Sequence, residues 1–514
     1  MAVHQVTDVL SLRDFQLQGA LFLSKHPQAL LADEMGVGKS SQVVRACDLV
    51  GAQRILVIVN ASARTNWLRE FRKFSPLDRD AVALLDGAGR PVKPGVTVCS
   101  YNALVRLPRP NIKKEAAKVR AKYKRREQEV TEEFVAAEAK NRATAKRKLA
   151  RDRDAFRSAL AAIEWDVLIL DEAHYLKSRT AGCTRAVYGE QCDGKTGLAS
   201  LAKRVWRLTG TPAPNNVSEL WTHLRSAGLY EGKQDAFTHE FCTGYESNYG
   251  FRITGTRNAD RLRGLLDGFM LRRKKEEVLP TLPGLHFEHV QIEPGEVDVA
   301  SYFPEDVIHY GPKKLAHDIE VQNHILRAAW RNATNASRTT RRDATSALTD
   351  IGPSVAKLRK YVGLAKLPGY SQRIREELDS GEIDKIVIFA WNRDLVVTLR
   401  DMLRKYKPVT LYGGTPPKKV PKIIDKFQNN EACRVFIGNL KSAGTAITLT
   451  RANHVDVLQE SYVPGENAQA VMRCHRIGQD RDVYVRFFGC AGSVDDEITR
   501  AWMQKTRELA KVID

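Results

Sequence analysis

The sequence predicts an α/β protein with two doubly wound parallel-sheet lobes and helical insertions, and three observations lead to that prediction. Short, apolar, β-branched runs recur along the chain, with helical segments between them. The runs are apolar on both faces, which is typical of parallel strands covered by helices, and strand–helix alternation favours doubly wound sheets. The runs also fall in two groups, before about residue 210 and after about residue 385. The predicted strands are Ile55–Val59, Val96–Cys99, Val167–Leu170, Val205–Leu208, Ile386–Ala390, Val409–Tyr412, Val435–Ile437, Val455–Leu458 and Val483–Phe488.

The length and the spacing of these runs predict how the chain is divided. A chain of 514 residues is too long for one core and suits two or three domains. We expect a first lobe over residues 1–284, with a basic insertion at 111–160, and a second lobe over residues 355–514. Residues 285–354 are mostly polar with a helical pattern, and we interpret them as a helical inter-lobe region. Its arginines include Arg327, Arg331, Arg338, Arg341 and Arg342.

The insertion at residues 111–160 has a composition of its own. It contains 16 basic and 8 acidic residues, and neither proline nor glycine. Such a composition favours one long helix or a helical hairpin. An arm of this kind would add contacts to a polyanion, although a solvated charged arm without a partner is the alternative.

The net charge indicates the kind of partner. Lysine plus arginine is 81 and aspartate plus glutamate is 61, which gives a net charge of +20. A basic excess of that size favours a polyanionic partner, of which nucleic acid is the commonest. A basic but inert surface is the alternative.

The cysteines and the hydropathy predict an intracellular protein that does not bind a membrane. None of the eight cysteines forms a C-x-x-C pair, so we expect a reducing compartment and no disulfide framework. Cys183 and Cys192 lie near each other, but a zinc site needs four ligands and no second pair is evident. No apolar stretch approaches the ~18 residues of a membrane span. Met1–Gln16 lacks the basic and apolar regions of a secretory signal.

A glycine-rich turn follows the apolar run Ala29–Ala32. Asp33–Ser40 reads DEMGVGKS and opens a helix. Gly36 and Gly38 would let backbone N–H groups approach phosphate closely at the helix N-terminus. Lys39 would reach the β and γ phosphates of ATP, and the Ser40 hydroxyl would ligate Mg²⁺. A strict Walker A motif has glycine where this chain has Asp33, so an ordinary strand–helix turn is the alternative.

Acidic and hydroxyl residues end two later strands. Asp171-Glu172-Ala173-His174 follows the apolar run Trp165–Leu170. A carboxylate at a strand end beside a P-loop can hold Mg²⁺, and the next one can orient or deprotonate the attacking water. We assign Asp171 to the metal and Glu172 to the water. The next strand ends in Thr209-Gly210-Thr211-Pro212, whose hydroxyls can link a phosphate site to a DNA-binding face.

A basic run lies far downstream. Gln469–Gln479 reads QAVMRCHRIGQ. We predict a helix here, on which Arg473 and Arg476 share one face at i, i+3. Two guanidiniums supplied by a second lobe would stabilise the transition state at a γ-phosphate. A surface basic helix is the alternative.

Together these segments resemble the motifs of the Swi/Snf-type ATPases of helicase superfamily two. His475–Gln479 reads HRIGQ, which is highly characteristic of motif VI in that family. Leu12–Gln16 resembles the segment that reads adenine, which implies that Gln16 contacts the base. In chain order, the other matching segments are Asp33–Ser40 (motif I), Asn66-Trp67 with Glu70-Phe71 (motif Ia), Asp171–His174 (motif II), Leu208–Pro212 (motif III), Phe269–Arg273, Ile386–Trp391 (motif IV) and Ser442–Leu449 (motif V).

Three further segments resemble the distant branch that contains the annealing helicases. They are Phe241–Arg273, Gly363–Lys366 and Pro464-Gly465. Two positions depart from that branch. Ala446 stands where glycine is usual and Met472 where an acid is usual, but neither change removes a phosphate or metal contact.

The resemblance implies a mechanism. It implies two RecA-like lobes with ATP and Mg²⁺ in the cleft between them, and closure of the lobes on ATP. It further implies translocation on double-stranded DNA, with remodelling of protein–DNA complexes or of forked and annealing DNA. Sequence specificity is not expected, because phosphate contacts carry no base information.

Two alternatives to this function stay open. A conventional strand-separating helicase would need a wedge or pin, for which residues 111–160 are a candidate. A non-enzymatic DNA-binding scaffold with a relic nucleotide site is the other. The presence of Lys39, Asp171, Glu172 and both arginines of the HRIGQ region argues against a scaffold.

Overall fold

The computed structural model of the chain divides into two units. The first comprises Met1–Glu34, Gly38–Lys274 and Val512–Asp514, and the second comprises Met35–Val37 and Lys275–Lys511. Each unit contains one parallel sheet. The structure describes residues 12–61, 63–75, 82–85, 91, 94–105, 151–247, 250–295, 352–416, 419–440, 447–490 and 493–513.

Nine strands lie in the described part of the first unit. Seven of them form one sheet in the order β3-β4-β2-β5-β6-β1-β9, with every neighbouring pair parallel. The other two, β7 and β8, form a separate antiparallel hairpin. The strands are β1 (Gln28–Leu31), β2 (Arg54–Val59), β3 (Val82–Leu85), β4 (Gly95–Ser100), β5 (Trp165–Asp171), β6 (Ala202–Leu208), β7 (Cys242–Ser247), β8 (Gly250–Thr256) and β9 (Met270–Leu271).

Helices cover the sheet because its central strands are apolar on both faces. Ile55–Val59 of β2 and Val167–Leu170 of β5 are completely buried, as expected for strands between two helical layers. In α3, Trp67 and Phe71 are one turn apart and both are buried, so that helix presents one apolar face to the sheet. The helices are α1 (Asp14–Lys25), α2 (Lys39–Leu49), α3 (Arg64–Phe74), α4 (Tyr101–Val105), α5 (Gly182–Tyr188), α6 (Trp221–Ser226), α7 (Gln234–Phe241) and α8 (Ala259–Leu266).

The strand order gathers the predicted motifs at one edge of the sheet. β5, β6, β1 and β9 are consecutive neighbours, and parallel strands all end at the same edge. That edge therefore carries Asp171 at the end of β5, Thr209 after β6, Asp33–Ser40 after β1 and Arg272-Arg273 after β9. Ligands of open α/β sheets bind at such carboxyl ends.

The second unit is built on a six-stranded parallel sheet. Its order is β10-β15-β14-β11-β13-β12. The strands are β10 (Leu285–Gln291), β11 (Ile386–Ala390), β12 (Val409–Leu411), β13 (Val435–Asn439), β14 (His454–Val457) and β15 (Val483–Gly489). The helices are α9 (Lys275–Val278), α10 (Gly352–Ser380), α11 (Arg393–Met402), α12 (Val420–Asn429), α13 (Pro464–Val471) and α14 (Val494–Ile513).

A buried ionic cluster fixes α10 to this second sheet. Arg486 of β15 donates two hydrogen bonds to Asp456 of β14, at 2.8 and 2.9 Å, and two to Glu377 of α10, at 2.7 and 2.9 Å. The Tyr370 hydroxyl donates to Asp456 at 2.7 Å. Burial raises the pKa of Asp456 and outweighs the opposing effect of Arg486. Breaking such a pair leaves an uncompensated buried charge, which is strongly destabilising.

The structure confirms the predicted fold class of two parallel-sheet α/β lobes, and each of the nine predicted strands coincides with an observed one. One prediction about the inter-lobe region was wrong. Leu285–Gln291 is not part of a helical region but forms β10, which pairs with β15 along its full length. Its side chains are mostly exposed, and pairing with β15 decides its conformation. The predicted domain boundaries at 284 and 354 stay predictions.

Some predictions fall outside the described residues. These include residues 111–150 of the insertion, residues 296–351 and most of motif V. Residues 151–161 are helical, and Phe156 and Leu160 pack into the first unit. Among the described residues, no helix is both long and apolar enough to span a membrane.

Candidate active site

The glycine-rich turn after β1 has the backbone of a phosphate-binding loop. Gly36 and Gly38 both adopt left-handed conformations, with φ of +88° and +83°. Helix α2 begins directly afterwards at Lys39, with Gly38 as its N-cap. A Cβ at Gly38 would also overlap the Gln16 amide, so both backbone conformation and space require glycine there. The first N–H groups of α2 have no acceptor within the helix, and such groups are suited to an anion.

The Lys39 side chain folds back over this turn. Its Nζ donates to the backbone carbonyls of Asp33 at 2.6 Å and of Glu34 at 3.0 Å. Burial lowers the pKa of Lys39, while the negative charges of Glu172, Asp33 and Asp171 act to raise it. The ammonium group therefore lies in the electrostatic field of Asp171 and Glu172, the two carboxylates at the end of β5.

Asp171 is held in place by two aromatic side chains. The Trp67 indole N–H donates to its Oδ2 at 2.7 Å, and the Tyr101 hydroxyl donates to its backbone carbonyl at 2.9 Å. Burial and the neighbouring Glu172 raise the pKa of Asp171 to about 6, against the hydrogen bond from Trp67. The family resemblance places Trp67 in motif Ia but assigns no role to its side chain. The structure shows that it orients the predicted metal ligand.

Glu172 links motif II to motif III. Its backbone is left-handed, with φ of +52°, a conformation that non-glycine residues rarely adopt. Its carboxylate lies 3.3 Å from Nδ1 of His174, which also lies 3.1 Å from the Thr209 hydroxyl. That hydroxyl accepts a hydrogen bond from the Thr211 N–H at 3.1 Å. His174, the last residue of the DEAH sequence, therefore connects Glu172, which is predicted to orient the water, to Thr209 after β6.

Gln16 lies beside the glycine-rich turn. Its Oε1 accepts a hydrogen bond from the Arg13 N–H at 3.1 Å, and its amide packs against Gly38. The predicted adenine-reading segment is therefore next to the predicted phosphate loop in the folded unit.

A buried ion pair lies behind the loop, and the sequence did not predict it. Asp33, the residue that departs from a strict Walker A motif, is completely buried. It forms an ion pair with Arg273, whose Nε and Nη2 lie 3.0 and 2.5 Å from its two carboxylate oxygens. Gln42 of α2 donates to the same carboxylate at 3.1 Å. The signal in the sequence was the match of Phe269–Arg273 to the family, but that match does not reveal its partner.

The arginines of the HRIGQ region lie in the second unit, and the prediction that they share a helical face was wrong. Helix α13 ends at Val471, and turns follow. The Nε of Arg473 donates to the Gln469 carbonyl at 2.9 Å, and the Nη1 of Arg476 donates to the Ile447 carbonyl at 3.1 Å. The chain leaves the helix because the Leu449 N–H bonds the Arg473 carbonyl at 2.9 Å, which draws the turn toward the end of motif V.

The other polar residues of HRIGQ brace this turn. The Gln479 amide donates to the carbonyls of Thr450, Ala452 and Cys474 at 3.0 to 3.2 Å. His475 places Nε2 2.8 Å from the Pro283 carbonyl, while Lys275 donates to its backbone carbonyl at 2.9 Å. These residues therefore fix the backbone from which Arg476 extends.

The first unit fits Mg²⁺ with a nucleoside triphosphate. Asp171 and Glu172 are neighbouring carboxylates, and a divalent cation would relieve the repulsion that helps raise the pKa of Asp171. Among the described residues, no group of three or more His, Cys, Asp or Glu could hold a metal alone. Mg²⁺ is commonly bound by one or two carboxylates together with substrate phosphates, and Asp171 with the Ser40 hydroxyl would supply that share.

Comparison with known protein families gives two matches. The SNF2-related domain matches residues 15–337, and the helicase conserved C-terminal domain matches residues 370–478. The first match alone covers more than half of the chain. The protein belongs to the SNF2-related family. The SNF2-related domain contains the glycine-rich turn and the DEAH sequence, and the helicase C-terminal domain contains Arg473 and Arg476.

Individual relatives of this SNF2-related protein are distant and longer. It is 24% identical over 496 residues to the DNA annealing helicase and endonuclease ZRANB3 of Bos taurus, covering 94% of this chain and 38% of that protein. It is 26% identical over 509 residues to the SWI/SNF-related matrix-associated actin-dependent regulator of chromatin subfamily A-like protein 1 of Drosophila melanogaster, covering 98% and 56%. The chain thus spans about two fifths to three fifths of these relatives. The solved Sulfolobus solfataricus SWI2/SNF2 ATPase core in complex with dsDNA is 22% identical, with 99% of each chain covered and a TM-score of 0.40.

Proposed function

We propose that this SNF2-related protein is a DNA-dependent ATPase motor that translocates on double-stranded DNA. The observation that carries the proposal is the arrangement at the carboxyl edge of the first sheet. Lys39 emerges from a loop with two left-handed glycines and lies in the field of Asp171 and Glu172. A phosphate cradle beside paired carboxylates is the arrangement that phosphoryl-transfer sites use.

Each residue of the first unit has a distinct task in this proposal. Lys39 releases its loop carbonyls and binds the β and γ phosphates. Ser40 and Asp171 hold Mg²⁺, which neutralises phosphate charge when bound. Glu172 orients the attacking water and accepts its proton, and His174 limits where that carboxylate points. Gln16 recognises the adenine edge.

Two residues of the second unit complete the proposal. We assign to Arg473 and Arg476 the stabilisation of charge on the transferred phosphoryl group. Both guanidiniums already donate one hydrogen bond to a carbonyl, which sets the direction in which each side chain leaves the turn. An arginine that acts mainly in the transition state should matter more for turnover than for nucleotide binding.

The DNA substrate is supported by charge and by relatives. The net charge of +20 favours a polyanion, and relatives are described as annealing helicases and chromatin regulators. We propose duplex DNA as the track, read through its phosphates and so without sequence specificity. Displacement of bound proteins or remodelling of forked and annealing DNA would follow from such movement.

The test is a comparison of DNA substrates. ATPase rates are measured without DNA and with duplex, single-stranded and forked DNA, alongside displacement of a third strand from a triplex. We expect slow hydrolysis alone, strong stimulation by duplex DNA, and ATP-dependent triplex displacement without separation of a plain duplex. Equal rates with and without DNA would refute the proposal.

A strand-separating helicase is the second candidate, and one observation favours it. The β7–β8 hairpin belongs to neither parallel sheet, carries Tyr245, Phe251 and Arg252, and is largely open to solvent on β7. A two-stranded ribbon with aromatic and basic side chains has the character of a pin. Efficient unwinding of a duplex with a single-stranded tail, abolished by Tyr245→Ala, would favour this candidate over duplex translocation.

A further inference from the structure

We infer that Arg273 is a positioning residue for the nucleotide site: through Asp33 it sets the geometry of the glycine-rich loop and so the affinity for ATP. The inference rests on the proposed ATPase function. The guanidinium of Arg273 bonds to other groups of the protein, and its effect must pass through the residues that it holds.

Asp33 connects Arg273 to Lys39. Asp33 is the first residue of the loop, and its two polar groups have different partners. Its backbone carbonyl accepts the Lys39 ammonium at 2.6 Å, while its carboxylate is held by Arg273 at 2.5 and 3.0 Å. A displacement of Asp33 would therefore move the peptide carbonyl against which Lys39 rests.

The backbone of Arg273 also contacts the loop. Its carbonyl accepts the Glu34 N–H at 3.1 Å, two residues beyond the 2.8 Å bond from the Ala32 N–H to the Leu271 carbonyl. The pairing of β9 with β1 thus continues into the loop. Arg273 fixes Asp33 through its side chain and Glu34 through its main chain.

The guanidinium of Arg273 also reaches two further segments. Its Nη1 donates to the Phe15 carbonyl at 2.6 Å, and its Nη2 donates to Oε1 of Gln42 at 3.0 Å. Phe15 precedes Gln16, the predicted adenine contact, and Gln42 is one turn beyond Lys39 on α2. One planar group therefore holds together the adenine-reading segment, the loop and the helix that follows it.

The chemistry of the cluster requires arginine. Four hydrogen bonds diverge from three nitrogens of one rigid plane, and the Asp33 pair is bidentate. An ammonium group is a point charge and cannot reproduce that fork. Arg273→Lys would keep the positive charge beside the buried carboxylate but release Phe15, Gln42 or one oxygen of Asp33.

The test separates binding of ATP from its turnover. In the full-length protein with saturating DNA, Arg273→Lys should raise the KM for ATP by about tenfold, from loss of one or more charge-assisted hydrogen bonds. Its kcat should change less than about threefold, because the groups assigned to the transition state stay in place. The increase in Tm produced by an ATP analogue, measured without DNA, should shrink in parallel.

Arg486→Lys is the matched control. It damages another buried arginine–carboxylate cluster, which lies in the second unit, far along the chain from the loop. It should lower the Tm without changing the KM for ATP. If both variants leave the KM unchanged, or raise it equally, the inference is wrong.

A second substitution covers a failure of Arg273→Lys to fold. Gln42→Met keeps the ion pair but removes the bond that Gln42 accepts from Arg273 and the 3.1 Å bond that it donates to Asp33. It should raise the KM for ATP by about threefold, which corresponds to a net loss of ~0.7 kcal/mol in binding, and an unchanged KM overturns the inference. If the unmodified protein does not hydrolyse ATP, the proposed function is refuted instead.

Discussion

Replacement of Trp67 by phenylalanine tests whether Asp171 must be oriented to act. Trp67 is almost completely buried, and its indole N–H donates to the Asp171 carboxylate at 2.7 Å, a distance at the short end for a bond to an anion. Hydrogen bonds to charged groups contribute about 1.5–3 kcal/mol. Because 1.36 kcal/mol is tenfold in rate, we expect kcat/KM for DNA-stimulated ATP hydrolysis to fall by about tenfold to a hundredfold.

The control for this substitution lies on β5 itself. Trp165 is also completely buried, and its indole N–H donates to the Leu160 carbonyl at 3.1 Å. Trp165→Phe removes the same ring atoms and the same donor, but the acceptor is neutral and lies at the opposite end of the strand from Asp171. We expect it to lower the Tm while kcat/KM stays within about twofold, since packing losses act on stability. Equal kinetic losses in the two variants would refute the orienting role of Trp67.

Three other predictions concern catalysis, pH and DNA binding. Glu172→Gln and Arg476→Ala should each bind ATP nearly normally but hydrolyse it at least ~10³-fold more slowly, whereas Lys39→Ala should lose binding as well; normal DNA-stimulated turnover by Arg476→Ala would disprove its assignment. Burial lowers the pKa of His223 to about 3, below the ~6.5 expected in the unfolded chain, so its contribution to stability is complete above about pH 6.5 and is lost as pH falls. Between pH 7.5 and 5.0 the loss in free energy of unfolding is about 2 kcal/mol. Over that range His223→Gln should therefore show a smaller drop in urea midpoint than the unmodified protein, and identical drops in the two proteins would contradict the prediction. Replacing residues 111–150 with a short Gly/Ser linker, which keeps the buried Phe156 and Leu160, should leave a folded ATPase whose DNA affinity is weaker and less salt-dependent, by about 0.9 in log–log slope for each phosphate that the arm had neutralised, and an unchanged slope would indicate an arm without a partner.

The sequence by itself determined the architecture and the candidate motifs, because both are encoded locally. Apolar runs on both faces of short segments predict buried parallel strands wherever the chain carries them. A left-handed turn that opens a helix favours glycine, as at Gly36 and Gly38. Residues such as Lys39 and Asp171 could therefore be nominated from spacing alone.

Only the tertiary structure decided which residues hold these groups in place. The indole of Trp67 reaches Asp171 across 104 positions, and Arg273 reaches Asp33 across 240, because the strand order brings those segments to one edge of the sheet. Tertiary contacts likewise ended the helix before Arg473 and made a strand of Leu285–Gln291. Hydrogen bonds between distant residues depend on how strands are ordered, and no local pattern of residues records that order.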